Sequence, residues 1–132
     1  MSGPEAPAQE PLRGPSVLLV DDELSTTEVL GLILAGEGYR VTVAADGRQA
    51  LAQLDEAAPD VLVTDFMMPG MNGAELVKAL RAGERFADIP VLLISGAPES
   101  ALRAYEVRHD AFLRKPFSLD EFLQALQRIR AR

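Results

Sequence analysis

Cysteine and tryptophan are absent from this 132-residue chain, histidine occurs once, at position 109, and aromatic residues make up only 5 % of it. Without cysteine there are no disulfides and no thiolate metal sites, which fits a reducing compartment, so a cytoplasmic protein is expected. Few aromatics leave valine, leucine, isoleucine and alanine to build the core. No apolar run approaches the ~20 residues needed to cross a bilayer. The first residues lack the basic start and apolar middle of a secretory signal. Positive charge is short as well. A formal net charge of -7 disfavours unaided binding to nucleic acid or to anionic membrane, because both would repel the domain. Lysine is nearly missing, with Lys78 and Lys115 set against eleven arginines.

What remains is an ordinary globular balance, 48 % hydrophobic and 25 % charged, enough for one compact domain. Residues 1–15 hold Pro4, Pro7, Pro11 and Pro15 with a single large apolar side chain, Leu12. They read as a flexible tail that buries too little surface to offset its ordering entropy. Residues 16–132 read as one domain, with no output domain visible.

Five short apolar runs fall at 17–20, 41–45, 61–63 leading into Thr64 and Asp65, 91–94 and 111–113. Most are continuous rather than alternating, as in strands covered on both faces. Between them lie helical stripes: Val29, Leu30, Ile33 and Leu34; Ala50, Leu51 and Leu54; Leu76, Val77 and Leu80; and Phe122, Leu123, Leu126 and Ile129. Ser25 to Glu28 and Ser118 to Glu121 have the spacing of capping boxes, and Asp46 and Asn72 suit N-caps. Pro98 suits the first turn of a further helix between Glu99 and Arg108. Its stripe, Ala101, Leu102 and Tyr105, is thin. Alternating strands and helices predict an α/β domain, a doubly wound five-stranded parallel sheet with helices on both faces.

In such sheets function gathers beyond the carboxyl ends of the strands. There stand Asp21, Asp22 and Glu23 after the first strand, Asp65 after the third, Ser95 after the fourth, and Lys115 with Pro116 after the fifth. Each alone has a plain structural reading: an Asp-Asp pair is commonly a turn or cap, and Ser-Gly is a routine turn. Together they form a phosphoryl-transfer set. Clustered carboxylates repel unless a cation neutralises them, and oxygen donors without cysteine or histidine suit a hard ion, Mg²⁺ or Mn²⁺. A carboxylate nucleophile, a metal, a compact ammonium and a hydroxyl donor complete it.

Val17-Leu18-Leu19-Val20-Asp21-Asp22-Glu23, the segment from Pro59 through Asp65-Phe66-Met67-Met68-Pro69-Gly70-Met71-Asn72-Gly73, and Phe112-Leu113-Arg114-Lys115-Pro116-Phe117 resemble the receiver domain of bacterial two-component response regulators. The likeness spans about residues 16–130, in order and with near-family spacing. It implies a flavodoxin-like, receiver-type fold with Asp65 as phosphoacceptor. It also implies Mg²⁺ on Asp21, Asp22, Asp65 and the Met67 carbonyl, with Ser95 and Lys115 on the phosphoryl group. Phe112 becomes the aromatic that moves with Ser95, and a cis peptide precedes Pro116. The implied partners are a histidine kinase or histidine phosphotransfer protein and a downstream protein target, and the face of the fourth and fifth helices is a dimer or partner surface. Met67 and Ala97 occupy positions that tune phosphoryl lifetime, and neither can orient water, so slow self-dephosphorylation is expected.

The chain departs from the pattern in a shortened span between Ser95 and Lys115, which should trim or distort the fourth helix, and in Arg108-His109 where Gly-Ala is common. A surface or packing role is expected for His109. On this reading the protein is a signalling module that assists its own modification rather than an enzyme. Two alternatives stand beside it. A metal-dependent hydrolase with an aspartyl-phosphate intermediate would want an acid or base two residues after Asp65, where Met67 stands. A receiver-like binding module would not be phosphorylated at all. A flavin or nucleotide site would need a glycine-rich or hydroxyl-rich turn where the acidic run stands.

Overall fold

The computed structural model of the chain describes residues 14–131. The expected tail therefore lies outside the described residues, apart from Gly14 and Pro15. Those two already belong to the domain, since their carbonyls accept hydrogen bonds from the Arg40 Nε (2.9 Å) and amide (2.8 Å).

The chain runs β1 (Ser16–Val20), α1 (Leu24–Gly36), β2 (Arg40–Ala44), α2 (Gly47–Ala57), β3 (Val61–Asp65), α3 (Gly73–Ala82), β4 (Val91–Ser95), a 3-10 helix (Glu99–Tyr105), β5 (Ala111–Arg114) and α4 (Leu119–Arg130). The strands form one parallel five-stranded sheet in the order β2-β1-β3-β4-β5, and the doubly wound expectation holds. β1, β3 and β4 are buried along their whole length, as continuous apolar runs require. Their side chains alternate between two cores. Leu18, Val20, Leu62, Val91 and Leu93 pack toward α2, α3 and the 3-10 helix. Val17, Leu19, Val61, Val63, Leu92 and Ile94 pack toward α1 and α4, with Leu34, Phe122, Leu126 and Ile129. Each fully buried leucine or phenylalanine contributes roughly 1.5–3 kcal/mol by leaving water.

Most of the expected caps form. Asp46 accepts the Gln49 amide at 2.8 Å, and Asn72 with Glu75 and Ser118 with Glu121 close complete capping boxes. The box expected at Ser25 does not form. α1 begins at Leu24, with Glu23 as N-cap and no side-chain cap. The reason is Asp21, whose Oδ1 accepts the Glu23 amide at 2.9 Å and starts the turn early. The stripe on α1 is corrected too: Thr27, Leu30 and Leu34 face the core, whereas Val29 is 57 % exposed. Residues 99–105 form a seven-residue 3-10 helix rather than an α-helix to Arg108, and Pro98 is its N-cap rather than a first-turn residue. The segment ends at Glu106, in the left-handed region at φ +52°. This is the trimming that the short Ser95 to Lys115 span demands. No helix among the described residues is long and apolar enough to cross a membrane.

Candidate functional site

Strand register brings the site together. Val20 of β1 pairs with Thr64 of β3, so Asp21 leaves the sheet beside Asp65. Asp65 in turn pairs with Ile94 of β4, and Ser95 with Arg114 of β5, which sets Lys115 at the same edge. A hydrogen bond from the Lys115 amide to the Ser95 carbonyl (2.8 Å) holds β5 there. The strand order changes direction between β1 and β3, and the crevice at that point is where open α/β sheets bind ligands.

Lys115 Nζ lies 3.0 Å from Asp65 Oδ1 and 3.8 Å from Asp21 Oδ2. Asp21 and Asp65 are each 6 % exposed, and Asp22 is open to solvent. One ligand oxygen from each of the three lies within 4.8 Å of the others. Three carboxylates against one ammonium leave the cluster short of positive charge. Burial accordingly pushes the Asp65 carboxyl above its ordinary value, although Lys115 pulls it down by hydrogen bond and charge. Asp21 rises for the same reason, with the Glu23 amide opposing and the Asp65 charge reinforcing. Burial alone would lower the Lys115 ammonium, but the hydrogen bond and charge of Asp65, and the charges of Asp21 and Glu23, leave it raised. Three carboxylate oxygen donors grouped within reach of one ion, and short of positive charge, fit a hard divalent cation.

A stability prediction follows. A carboxyl raised on folding contributes stability that is complete below the unfolded value, near 3.8, and is lost as pH rises through the folded one. In chelator at neutral pH, Asp65→Asn should melt above the wild type by about 2–5 °C, the gap closing in acid. Mg²⁺ at ~100 times its dissociation constant should add about 2.7 kcal/mol to the wild type. Thermal scans that place Asp65→Asn below the wild type at neutral pH would contradict this account.

Other expected residues surround the cluster. Ser95 is fully buried, and its hydroxyl accepts the Ala97 amide at 2.9 Å. Phe112 is half-buried against the α2–α3 core. In the turn after Asp65, Phe66 and Met68 sink into that core while Met67 is 64 % exposed. Phe66 meets the Tyr105 ring edge-on at 5.4 Å. The peptide before Pro116 is cis.

One contributor escaped the sequence reading. A Cβ on Gly73 would collide with the Asp65 carbonyl oxygen, and the Gly73 amide donates to the Phe66 carbonyl at 2.7 Å. The first turn of α3 can therefore lie directly on the end of β3. Asn72-Gly73 marked a helix start but not this closeness. His109, expected in a surface or packing role, packs edge-on against Phe112 and bonds Glu99 at 2.8 Å, pairings for which no local signal exists.

A doubly wound domain with a buried carboxylate, a neighbouring acidic pair and a lysine at its strand ends has the architecture of a phosphoryl-accepting signalling domain. A family model described as the response regulator receiver domain matches residues 17–127, and the chain belongs to that family. It is 35 % identical over 118 residues to the DNA-binding response regulator MtrA of Mycobacterium tuberculosis, covering 88 % of this chain and 49 % of MtrA. It is 34 % identical to the sensory transduction protein RegX3 of Mycobacterium bovis, over 86 % of this chain and 50 % of RegX3. The chain thus spans about half the length of these curated relatives. Among solved structures, Vibrio cholerae chemotaxis protein CheY4 superposes with a TM-score of 0.81 at 37 % identity, covering 88 % of this chain and 98 % of CheY4. The receiver domain of the Pseudomonas aeruginosa sensor histidine kinase PA1611, solved with a magnesium ion coordinated in its active-site cleft, gives 0.81 at 27 % identity, covering 90 % and 99 %. The acidic cluster fits the phosphorylation site of such domains.

Proposed function

We propose that this receiver domain is the phosphoacceptor switch of a two-component phosphorelay and that Asp65 takes the phosphoryl group. The observation that carries the reading is the buried Asp65 carboxylate, 3.0 Å from Lys115 and grouped with Asp21 and Asp22. The donor is a phosphohistidine on a kinase or phosphotransfer protein. An Asp65 oxygen bonds to phosphorus as the phosphorus–nitrogen bond breaks, and the imidazole leaves with a proton. Lys115 offsets negative charge on the phosphoryl oxygens, and the Ser95 hydroxyl turns toward them. A divalent cation on Asp21, Asp22, Asp65 and the Met67 carbonyl would supply further charge neutralisation. Phe112 moves with Ser95, and the altered surface is read by a downstream protein target. With a net charge of -7, the domain is not assigned a nucleic-acid contact of its own. The reading is that of a modified module rather than of an enzyme with a turned-over substrate.

The test is incubation with acetyl phosphate and Mg²⁺ followed by intact-mass measurement. Wild type should gain one phosphoryl group, Asp65→Asn none, and excess chelator should abolish the gain. Decay should be slow, because the Met67 and Ala97 side chains cannot orient water. Equal mass gains for wild type and Asp65→Asn would refute the proposal.

A further inference from the structure

His109 joins the two segments that the proposed switch must move. Its ring sits at the entry to β5 with the side chain only 15 % exposed, and Nε2 lies 2.8 Å from Glu99 Oε2. Glu99 opens the 3-10 helix, which follows Ser95 by the short loop at 96–98. The other face of the ring's surroundings is Phe112, met edge-on at 6.4 Å and 69°. Phe112 and Lys115 share β5 and its exit. One imidazole therefore ties the 3-10 helix that follows Ser95 to the strand that carries Phe112 and leads into Lys115. With the proton on Nε2 donated to Glu99, Nδ1 is left buried with no hydrogen-bond partner among the described residues. A ring placed for packing alone has no need of so buried and unbalanced an arrangement, since orphaned polar atoms oppose burial. Beside it lies a cavity of about 330 Å³ lined by Glu99, Leu102, Arg103, Val107 and His109.

We infer that the Glu99–His109 pair is a latch holding the resting arrangement of this domain, and that His109 is a positioning residue for Ser95 and Phe112. The inference rests on the reading of Asp65 as acceptor. Phosphorylation must pull Ser95 and Phe112 away from where the latch keeps them, so part of its binding free energy is spent opening the pair. A ligand that favours the switched state binds in proportion to the fraction of molecules already competent for it. Weakening the latch raises that fraction and tightens binding. A residue that merely supports the fold would do the reverse, because its loss damages the site.

The experiment is calorimetric titration of the phosphoryl mimic beryllium trifluoride, with Mg²⁺, into the intact chain and its variants. Glu99→Ala and His109→Leu should each tighten binding by about five-fold. The double variant should gain no more than either single one, as two halves of one contact require. His109→Gln, which keeps a donor toward Glu99, should bind like the wild type. Unchanged or weaker binding in both single variants would overturn the latch, and so would additive gains in the double variant. Asp65→Asn separates the two readings. If it binds the mimic as the wild type does, the acceptor assignment has failed; if it alone loses binding while the latch variants match the wild type, only the latch has.

Discussion

Lys115→Met is expected to slow phosphoryl uptake from acetyl phosphate by about 10²–10³-fold, the effect of removing one preorganised group that faces developing charge. It should also destabilise the metal-free protein by about 1–3 kcal/mol. Two carboxylates that are each 6 % exposed, Asp21 and Asp65, have this ammonium at 3.8 and 3.0 Å. Without it their charges stay buried and unpaired. The full cost of an uncompensated buried charge is not reached, because the lysine side chain is itself 31 % exposed and both carboxyls can take up protons. Mg²⁺ should restore most of the lost stability and little of the lost rate. That split is the signature of the proposed role: a cation in the acidic cluster replaces the ammonium as a counter-charge but not at its position. Lys115→Arg should not rescue the rate, since a planar fork does not reproduce a compact point charge. The checks are chemical denaturation with and without Mg²⁺ and the time course of the mass gain. Uptake within a few-fold of wild type would remove Lys115 from the chemistry.

Arg81→Leu should cost about 3–4 kcal/mol of folding stability while leaving the chemistry at Asp65 intact. The guanidinium, on the last turn of α3, is 10 % exposed and donates in several directions. Nη1 reaches the carbonyls of Ala87 (2.9 Å) and Ile89 (2.6 Å). Nε and Nη2 reach the Arg108 carbonyl at 3.1 and 2.7 Å. Nη2 also bonds Asp110 Oδ2 at 3.1 Å, and that same oxygen accepts the Val91 amide at 2.8 Å. One side chain thus satisfies backbone from the loops that feed both β4 and β5. An apolar replacement leaves those carbonyls without the guanidinium and removes its ion pair with Asp110, whose Oδ2 keeps the Val91 amide. All of this happens at the amino ends of the strands, whereas Asp21, Asp65 and Lys115 stand at the carboxyl ends. The urea midpoint should fall with an unchanged slope, and folded variant should still gain the phosphoryl group. A loss below 1 kcal/mol would mean that water replaces the guanidinium at little cost.

How much of this was legible in advance depended on how local the cause was. Continuous apolar runs marked β1, β3 and β4, and the caps at Asp46, Asn72 and Ser118 formed as read, because each is decided by residues within one turn. The first helix misled for the same physical reason in reverse. Its second half, Val29 to Ala35, is apolar apart from Gly31, so the stripe read at Val29, Leu30, Ile33 and Leu34 was one of several it could present, and only packing chose Thr27, Leu30 and Leu34 over Val29. Its start was set by Asp21, whose carboxylate took the Glu23 amide. The span after Ser95 was correctly seen as short, yet whether it would form α-helix or 3-10 helix turned on how it met β5.

By itself the sequence determined the order of strands and helices, the two-sided burial of the sheet and the set of acidic and basic residues at the strand ends. Those follow from side-chain period and from turn chemistry, which act over a few residues. Only the tertiary structure decided that Lys115 touches Asp65 and Asp21, that Arg81 binds together two distant loops, and that His109 links Glu99 to Phe112. Parallel pairing brings together side chains far apart along the chain, and a hydrogen bond across such a distance leaves no periodic trace in the residues that make it.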